Sequence, residues 1–167
     1  MKKLLAMTAV LAVSLVAYAE DAKSLFKPIN KAESWRLELH NGAEGSVKAG
    51  DDSITFDATK LGGDNWHVQV FQVDLDLKEG QQYTVKMKLS ASKPRNISLV
   101  GTVDTDEYHE IGLREDIRVD KEVRSHDFTF RASGVASKKN RIGFMLGDEK
   151  GDVIVKEMTL TEKEAKK

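Results

Sequence analysis

The strongest constraint on this chain is a two-residue hydrophobic period that recurs in short runs broken by turn residues. In "YTVKMKLSA", Tyr83, Val85, Met87 and Leu89 alternate with Thr84, Lys86 and Lys88. Side chains along a strand point alternately to opposite faces, so this period marks a strand with one apolar face. The same pattern appears in "WRLELH", "SITFDA", "RNISLVGTV", "SHDFTFRA" and "RIGFMLG". In "DVIVKEMTLTE" the phase slips between Val153/Val155 and Met158/Leu160, which predicts a bulge or twist there. "NGAEG", "AGDD", "LGGDN", "KEGQ" and "GDEKGD" separate the runs as turns. No long segment shows a 3.6-residue period. Roughly nine or ten short strands with turns between them specify an all-β fold, an antiparallel β-sandwich of the jelly-roll kind.

The first residues are not part of that pattern. Lys2 and Lys3 precede an apolar run from Leu4 to Val16, and Ala17-Tyr18-Ala19 has the small-x-small form a signal peptidase cuts. Residues 1–19 are therefore expected to be a signal peptide cleaved after Ala19, making the product secreted or periplasmic. The run is too short to span a membrane comfortably, and without cysteine the chain has no site for the usual lipid anchor. Residues 20–34 read as a loose polar lead-in, 35–161 as the sandwich and 162–167 as a charged tail. From Glu20 onward there are 148 residues with 24 basic and 27 acidic side chains, a net charge of −3. That balance argues against a nucleic-acid partner, which selects a basic face. With no disulfides, the domain must be held by its core.

Catalytic signatures are absent. His40, His67, His109 and His126 have no ligand-like spacing, and neither HExxH nor GxSxG occurs. "DTDEYHE", Asp104 to Glu110, allows a structural calcium ion, but one loop supplies only part of the six or more oxygens such an ion takes. No other cofactor is indicated.

"NWHVQVFQVDLDLKEGQQY", residues 65–83, is different. Its strand alternates Trp66, Val68, Val70, Gln72 with His67, Gln69, Phe71, Val73, and neither set is purely apolar. Such a strand suits a sheet with the core on one side and a partly covered, ligand-facing groove on the other. Rings that stack on pyranose faces, with amides and arginines that bond hydroxyls, are the groups that recognise sugars. The competing expectation is that Trp66 plugs the sandwich edge and the glutamines bond nearby backbone. Period-two alternation puts Gln69 and Gln72 on opposite faces, so at most one reaches a ligand unless a bulge intervenes.

These residues also carry a resemblance. W-x-V-Q-V-x-Q followed by L-x-x-G-x-x-Y-T-V-x-M-x-L-S-A-S, Trp66 to Ser92, resembles carbohydrate-binding modules of the family 4 and 9 type. The likeness continues through "RNISLVG", "HDFTFRASG" and "RIGFMLGDEKGDVIVKEMTL". It implies a galactose-binding-like β-jelly roll that binds a β-linked polysaccharide or oligosaccharide in a groove on one sheet, without catalysis. It also implies that Trp66, Gln69 and Gln72 serve the groove, while Gly80 and Tyr83 are scaffold. Lys156 stands where the family has an acid or amide, which weakens the case for calcium near the last strand. The available aromatic platforms are Trp35, Trp66 and Tyr108, and Arg114 is added as a candidate hydroxyl donor. Two alternatives stay open: a sandwich that serves structure or interaction without sugar, and a small glycoside-active enzyme with two facing carboxylates.

Overall fold

The computed structural model describes residues 23–163. The expected signal peptide lies outside these residues, as does the tail beyond Lys163. Ten strands follow in order: β1 Arg36–Leu39, β2 Glu44–Ala49, β3 Ile54–Lys60, β4 Val68–Leu75, β5 Gln82–Ser90, β6 Arg95–Val103, β7 Glu110–Val119, β8 Arg124–Arg131, β9 Asn140–Met145 and β10 Gly151–Glu162. They form two five-stranded sheets, ordered β1-β4-β9-β6-β7 and β2-β3-β10-β5-β8. The pairings within the sheets are antiparallel. The expected β-sandwich of the jelly-roll kind is the fold observed. No helix among the described residues is long and apolar enough to cross a membrane.

The alternating apolar residues meet between the sheets. Tyr83, Val85 and Leu89 of β5 are fully or almost fully buried, as are Ile142 and Phe144 of β9 and Val153 and Val155 of β10. The slip in β10 is a register shift between Val155 and Glu157, where Lys156 is the extra residue. It restores Met158 and Leu160 to the core side. Trp35 joins this core rather than serving as a platform: it is buried, its ring 4.8 Å from Phe56 and 6.4 Å from Phe144, and its indole N–H donates to the Ile29 carbonyl.

β2 and β7 are absent from the sequence expectations. β2 is an edge strand that begins inside the "NGAEG" turn signal and has one half-buried apolar residue, Val47. In β7 the buried Leu113 and Ile117 are separated by Arg114, Glu115 and Asp116, and Gly112 holds φ +92° beside a register shift against β6. Local polarity hides both strands; pairing with a neighbour creates them.

The lead-in is not loose from Ser24 onward. The Leu25 N–H donates to the Leu160 carbonyl of β10, and the Leu160 N–H donates to Ser24 Oγ. Lys27 bonds Gln72 of β4 through both its N–H and its carbonyl. The segment thus ties one sheet to the other, and Phe26 is buried against the core. At the far end, Glu162 still pairs with Tyr83, and the Lys163 N–H donates to the Gln82 carbonyl.

Arg95 is the largest fully buried side chain. Its guanidinium donates to the carbonyls of Leu146 (2.6 Å), Glu149 and Gly151, and so clamps the β9–β10 connection. Burial lowers its pKa, while Glu149 and Asp152 act in the opposite sense.

Candidate functional site

The two outer faces of the sandwich differ. On the β2-β3-β10-β5-β8 sheet, outward pairs such as Thr84–Thr129, Lys86–Asp127 and Lys88–Glu157 are polar or charged. This face is solvated and holds a depression of about 300 Å³ lined mainly by such groups, among them Lys86, Lys88, His126, Asp127 and Glu157. On the β1-β4-β9-β6-β7 sheet, Phe71 and Val100 are fully buried on the side away from the core, and Met145 and Val73 join them in a second small apolar cluster. A sheet with apolar groups on both faces has something covering the second one.

Part of that cover is Trp66. It does not continue β4. It belongs to a 3-10 turn, Asn65–His67, that precedes the strand. In that turn the Asp64 N–H donates to His67 Nδ1 at 3.0 Å and the His67 N–H donates to the Asp64 carbonyl at 3.1 Å. Strand alternation would have placed Trp66 with Val68 and Val70 on the core side. The turn instead leaves it 44% exposed, edge-on to His67 and 5.4 Å from His40.

Arg141, with Tyr108 beside it, covers Phe71. The Arg141 guanidinium lies 4.1 Å from the Phe71 ring centre and 4.9 Å from the Tyr108 ring centre. Its Nε donates to Thr102 Oγ1 at 2.8 Å, and its Nη1 reaches both carboxylate oxygens of Glu38 at 2.9 and 3.0 Å. Arg36 Nε lies 2.8 Å from Glu38, and its two Nη atoms hold Asp104 at 3.0 and 2.5 Å. The result is a network of two guanidiniums and two carboxylates at the foot of the Tyr108 loop. The hydrogen bonds from Arg36 hold the Asp104 carboxyl below the usual carboxylate range.

Between Trp66 and Tyr108 lies a cleft of about 260 Å³, lined by Glu38, His40, Gln69, Thr102, Arg141 and Met145 as well as the two rings. The register aligns Glu38, Gln69, Met145, Ser98 and Asp116 in one row across all five strands. A second depression of about 400 Å³, lined by Asn65, Asn96, Ser98, Asp116 and Asp148, lies over the Ser98–Asp116 end of that row.

The expected site residues therefore separate. Trp66, Gln69 and Tyr108 converge on the cleft. Gln72 does not: it is fully buried on the core side, its Oε1 accepting the Lys27 N–H at 2.7 Å and its Nε2 donating to the Lys27 carbonyl at 3.1 Å. Arg114 is on the same outer face but at the β7 edge, bonded to Glu110 at 2.6 Å and outside the cleft lining. Glu38, His40, Thr102, Arg141 and Met145 are additions. Parity could have found two of them, because alternation that buries Ile142 and Phe144 turns Arg141 and Met145 the other way.

In the acidic loop Asp104 pairs with Arg36 and Glu110 with Arg114, and a carboxylate oxygen of Glu107 lies 3.4 Å from His109 Nδ1. Among the described residues no three His, Cys, Asp or Glu side chains converge as a metal site.

No known family model matches this chain, and no curated protein matches it in sequence. Solved structures do match in shape. A chain described as CBM4 aligns with a TM-score of 0.71 at 20% identity, over 77% of this chain and 86% of that one. The second N-terminal cellulose-binding domain of Cellulomonas fimi beta-1,4-glucanase C aligns with a TM-score of 0.65 at 15% identity, over 87% and 98%. The family 11 carbohydrate-binding module of Clostridium thermocellum, in complex with a beta-1,3-1,4-mixed-linked tetrasaccharide, aligns with a TM-score of 0.59 at 10% identity, over 86% and 97%. The chain shares the β-sandwich fold of these carbohydrate-binding modules.

Proposed function

We propose that this chain is an exported, non-catalytic carbohydrate-binding protein that holds a β-linked glycan on the outer face of the β1-β4-β9-β6-β7 sheet. The observation that carries the reading is the pair of exposed rings, Trp66 and Tyr108, flanking a cleft whose lining also presents Gln69, Glu38 and Thr102. Rings with a flat face to solvent above fixed donors and acceptors suit a sugar ring, which is apolar on its faces and rich in hydroxyls at its edge. The aligned row across the five strands spans about 19 Å at the usual strand spacing of about 4.8 Å. That length suits a stretch of oligosaccharide rather than a single ring. The shared fold and the ligands named for similar structures support the same class of partner.

The charges favour binding over hydrolysis. Paired-carboxylate hydrolysis needs one acid with a raised pKa and a second carboxylate roughly 5–10 Å away. Glu38 is the one carboxylate lining the cleft, and two guanidiniums engage it. Asp104, the nearest other acid in the network, is shifted the opposite way.

Affinity electrophoresis through gels containing xylan, hydroxyethylcellulose or mixed-linked β-1,3-1,4-glucan tests the proposal. At least one polysaccharide should retard the protein, and Trp66→Ala should remove the retardation with the β-rich circular dichroism unchanged. No retardation by any of the three would favour the structural or interaction sandwich. Release of reducing sugar would favour the enzyme.

A further inference from the structure

Tyr108 is the more surprising of the two rings. It sits in a loop between β6 and β7 with φ +47°, a left-handed conformation that a bulky aromatic residue rarely adopts. Such strain persists only where the surroundings over-determine it. Backbone bonds account for part: the Tyr108 N–H donates to the Thr105 carbonyl at 3.1 Å, and the Val103 N–H to the His109 carbonyl at 3.0 Å. They set the loop but not the ring. The ring is 54% exposed, and the guanidinium of Arg141 is the group stacked beneath it.

We infer that Arg141 is a positioning residue that holds Tyr108 as a sugar platform, through a Phe71–Arg141–Tyr108 stack anchored by Glu38 and Thr102. This rests on the glycan-binding reading for its purpose, but not for its geometry. Arg141 is 3% exposed. A flexible, charged side chain is buried this completely only when its donors are met and its plane is fixed. Glu38 and Thr102 meet donors from the side, and Phe71 fixes the plane from below. The upper face of the guanidinium is then a flat, oriented cation, to which an aromatic ring is attracted. The Arg36–Asp104 pair fastens the start of the Tyr108 loop to β1 beside the same Glu38. The side-chain tie at the start of the loop thus lies beside the stack. A lysine cannot replace the arginine, because an ammonium has no plane to stack or to fork toward Glu38 and Thr102.

The test separates the two readings. In the chain starting at Glu20, Tyr83 and Tyr108 are the only tyrosines, and Tyr83 is buried in the core. Incorporation of 3-fluorotyrosine therefore yields two fluorine resonances, with Tyr83 as the internal report on folding. Arg141→Gln should move the Tyr108 resonance to the position of free fluorotyrosine and leave Tyr83 in place. If Arg141→Gln does not fold, Arg141→Lys is the working variant and should produce the same displacement. A Tyr108 resonance unmoved in a folded variant overturns the inference. Titration with the mixed-linked β-1,3-1,4 tetrasaccharide adds the functional arm: Arg141→Gln and Tyr108→Ala should each weaken binding about tenfold, and Arg141→Gln should add nothing in a Tyr108→Ala background. Further loss in that background would mean that Arg141 contacts the sugar itself, which also overturns a positioning role. If the wild-type protein binds no glycan, the proposed function fails while the fluorine spectra still decide the role of Arg141.

Discussion

Replacing Gln72 with alanine should destabilise the fold and leave glycan binding intact, whereas replacing Gln69 should do the reverse. The two residues are three apart in one strand and chemically identical, so only their faces distinguish them. Gln72 is fully buried and makes two hydrogen bonds to the backbone of Lys27. Truncation leaves an N–H and a carbonyl without that partner, at about 1–3 kcal/mol each for a buried group. Lys27 is itself exposed, so water restores part of this and the lower end applies. Adding about 0.8 kcal/mol for the lost packing of a methylene gives a total of about 3 kcal/mol. For a domain of this size that is a fall in Tm of roughly 10 °C. The segment from Ser24 to Ile29, which Gln72 ties to β4, should also become accessible to protease before global unfolding. Thermal melts and calorimetric titration with the tetrasaccharide, run on both variants, measure the two quantities independently. Gln69→Ala should melt within about 2 °C of wild type and bind about tenfold more weakly, the loss of one or two hydrogen bonds to the ligand. If Gln72→Ala melts like the wild type but loses affinity, its side chain reaches the groove and the assignment of faces in β4 is wrong.

Two further outcomes test the framework. Arg95→Met should cost about 3–5 kcal/mol in urea unfolding, because three carbonyls of the β9–β10 connection lose their only described side-chain donor. Stability should also fall on acidification in two steps. Burial and the Arg124 charge hold the half-buried His126 below its ordinary value of 6.5, so the unfolded chain takes up that proton first and stability declines as pH falls below 6.5. Asp104, depressed by Arg36, contributes stability above its ordinary value of 3.8 that is lost as pH falls through its lower folded value. His126→Gln should flatten the first step alone in a pH series of urea melts, and an unchanged first step would assign it to another group.

Much of this architecture was legible in the order of residues. Alternation in β5, β6, β9 and β10 named their core-facing apolar side chains, and the lost phase near Lys156 announced the bulge. The same parity required Gln69 and Gln72 to part company, as they do. These are local properties: a side chain's face follows from its place in a strand, and the strand from five to ten neighbouring residues. The strands that local pattern missed, β2 and β7, lie at sheet edges, where a weak or interrupted apolar face suffices because one neighbouring strand supplies the pairing.

What parity left open was which outer face is covered, and by what. Trp66 faces the cleft because a 3-10 turn breaks the alternation one residue before β4 begins. Gln72 is structural because a segment some forty-five residues earlier in the chain crosses over it. Arg141 meets Glu38 across a separation of 103 residues and Thr102 across 39, and Tyr108 is brought over it by a loop on a third strand. None of those distances is encoded in spacing along the chain. They follow from strand order in the sheet, which the packing of the whole sandwich sets. The sequence by itself determined a sandwich with alternating faces; only the tertiary structure decided that one of those faces carries a cleft, because a cleft is made by groups that become neighbours after the sheet has formed.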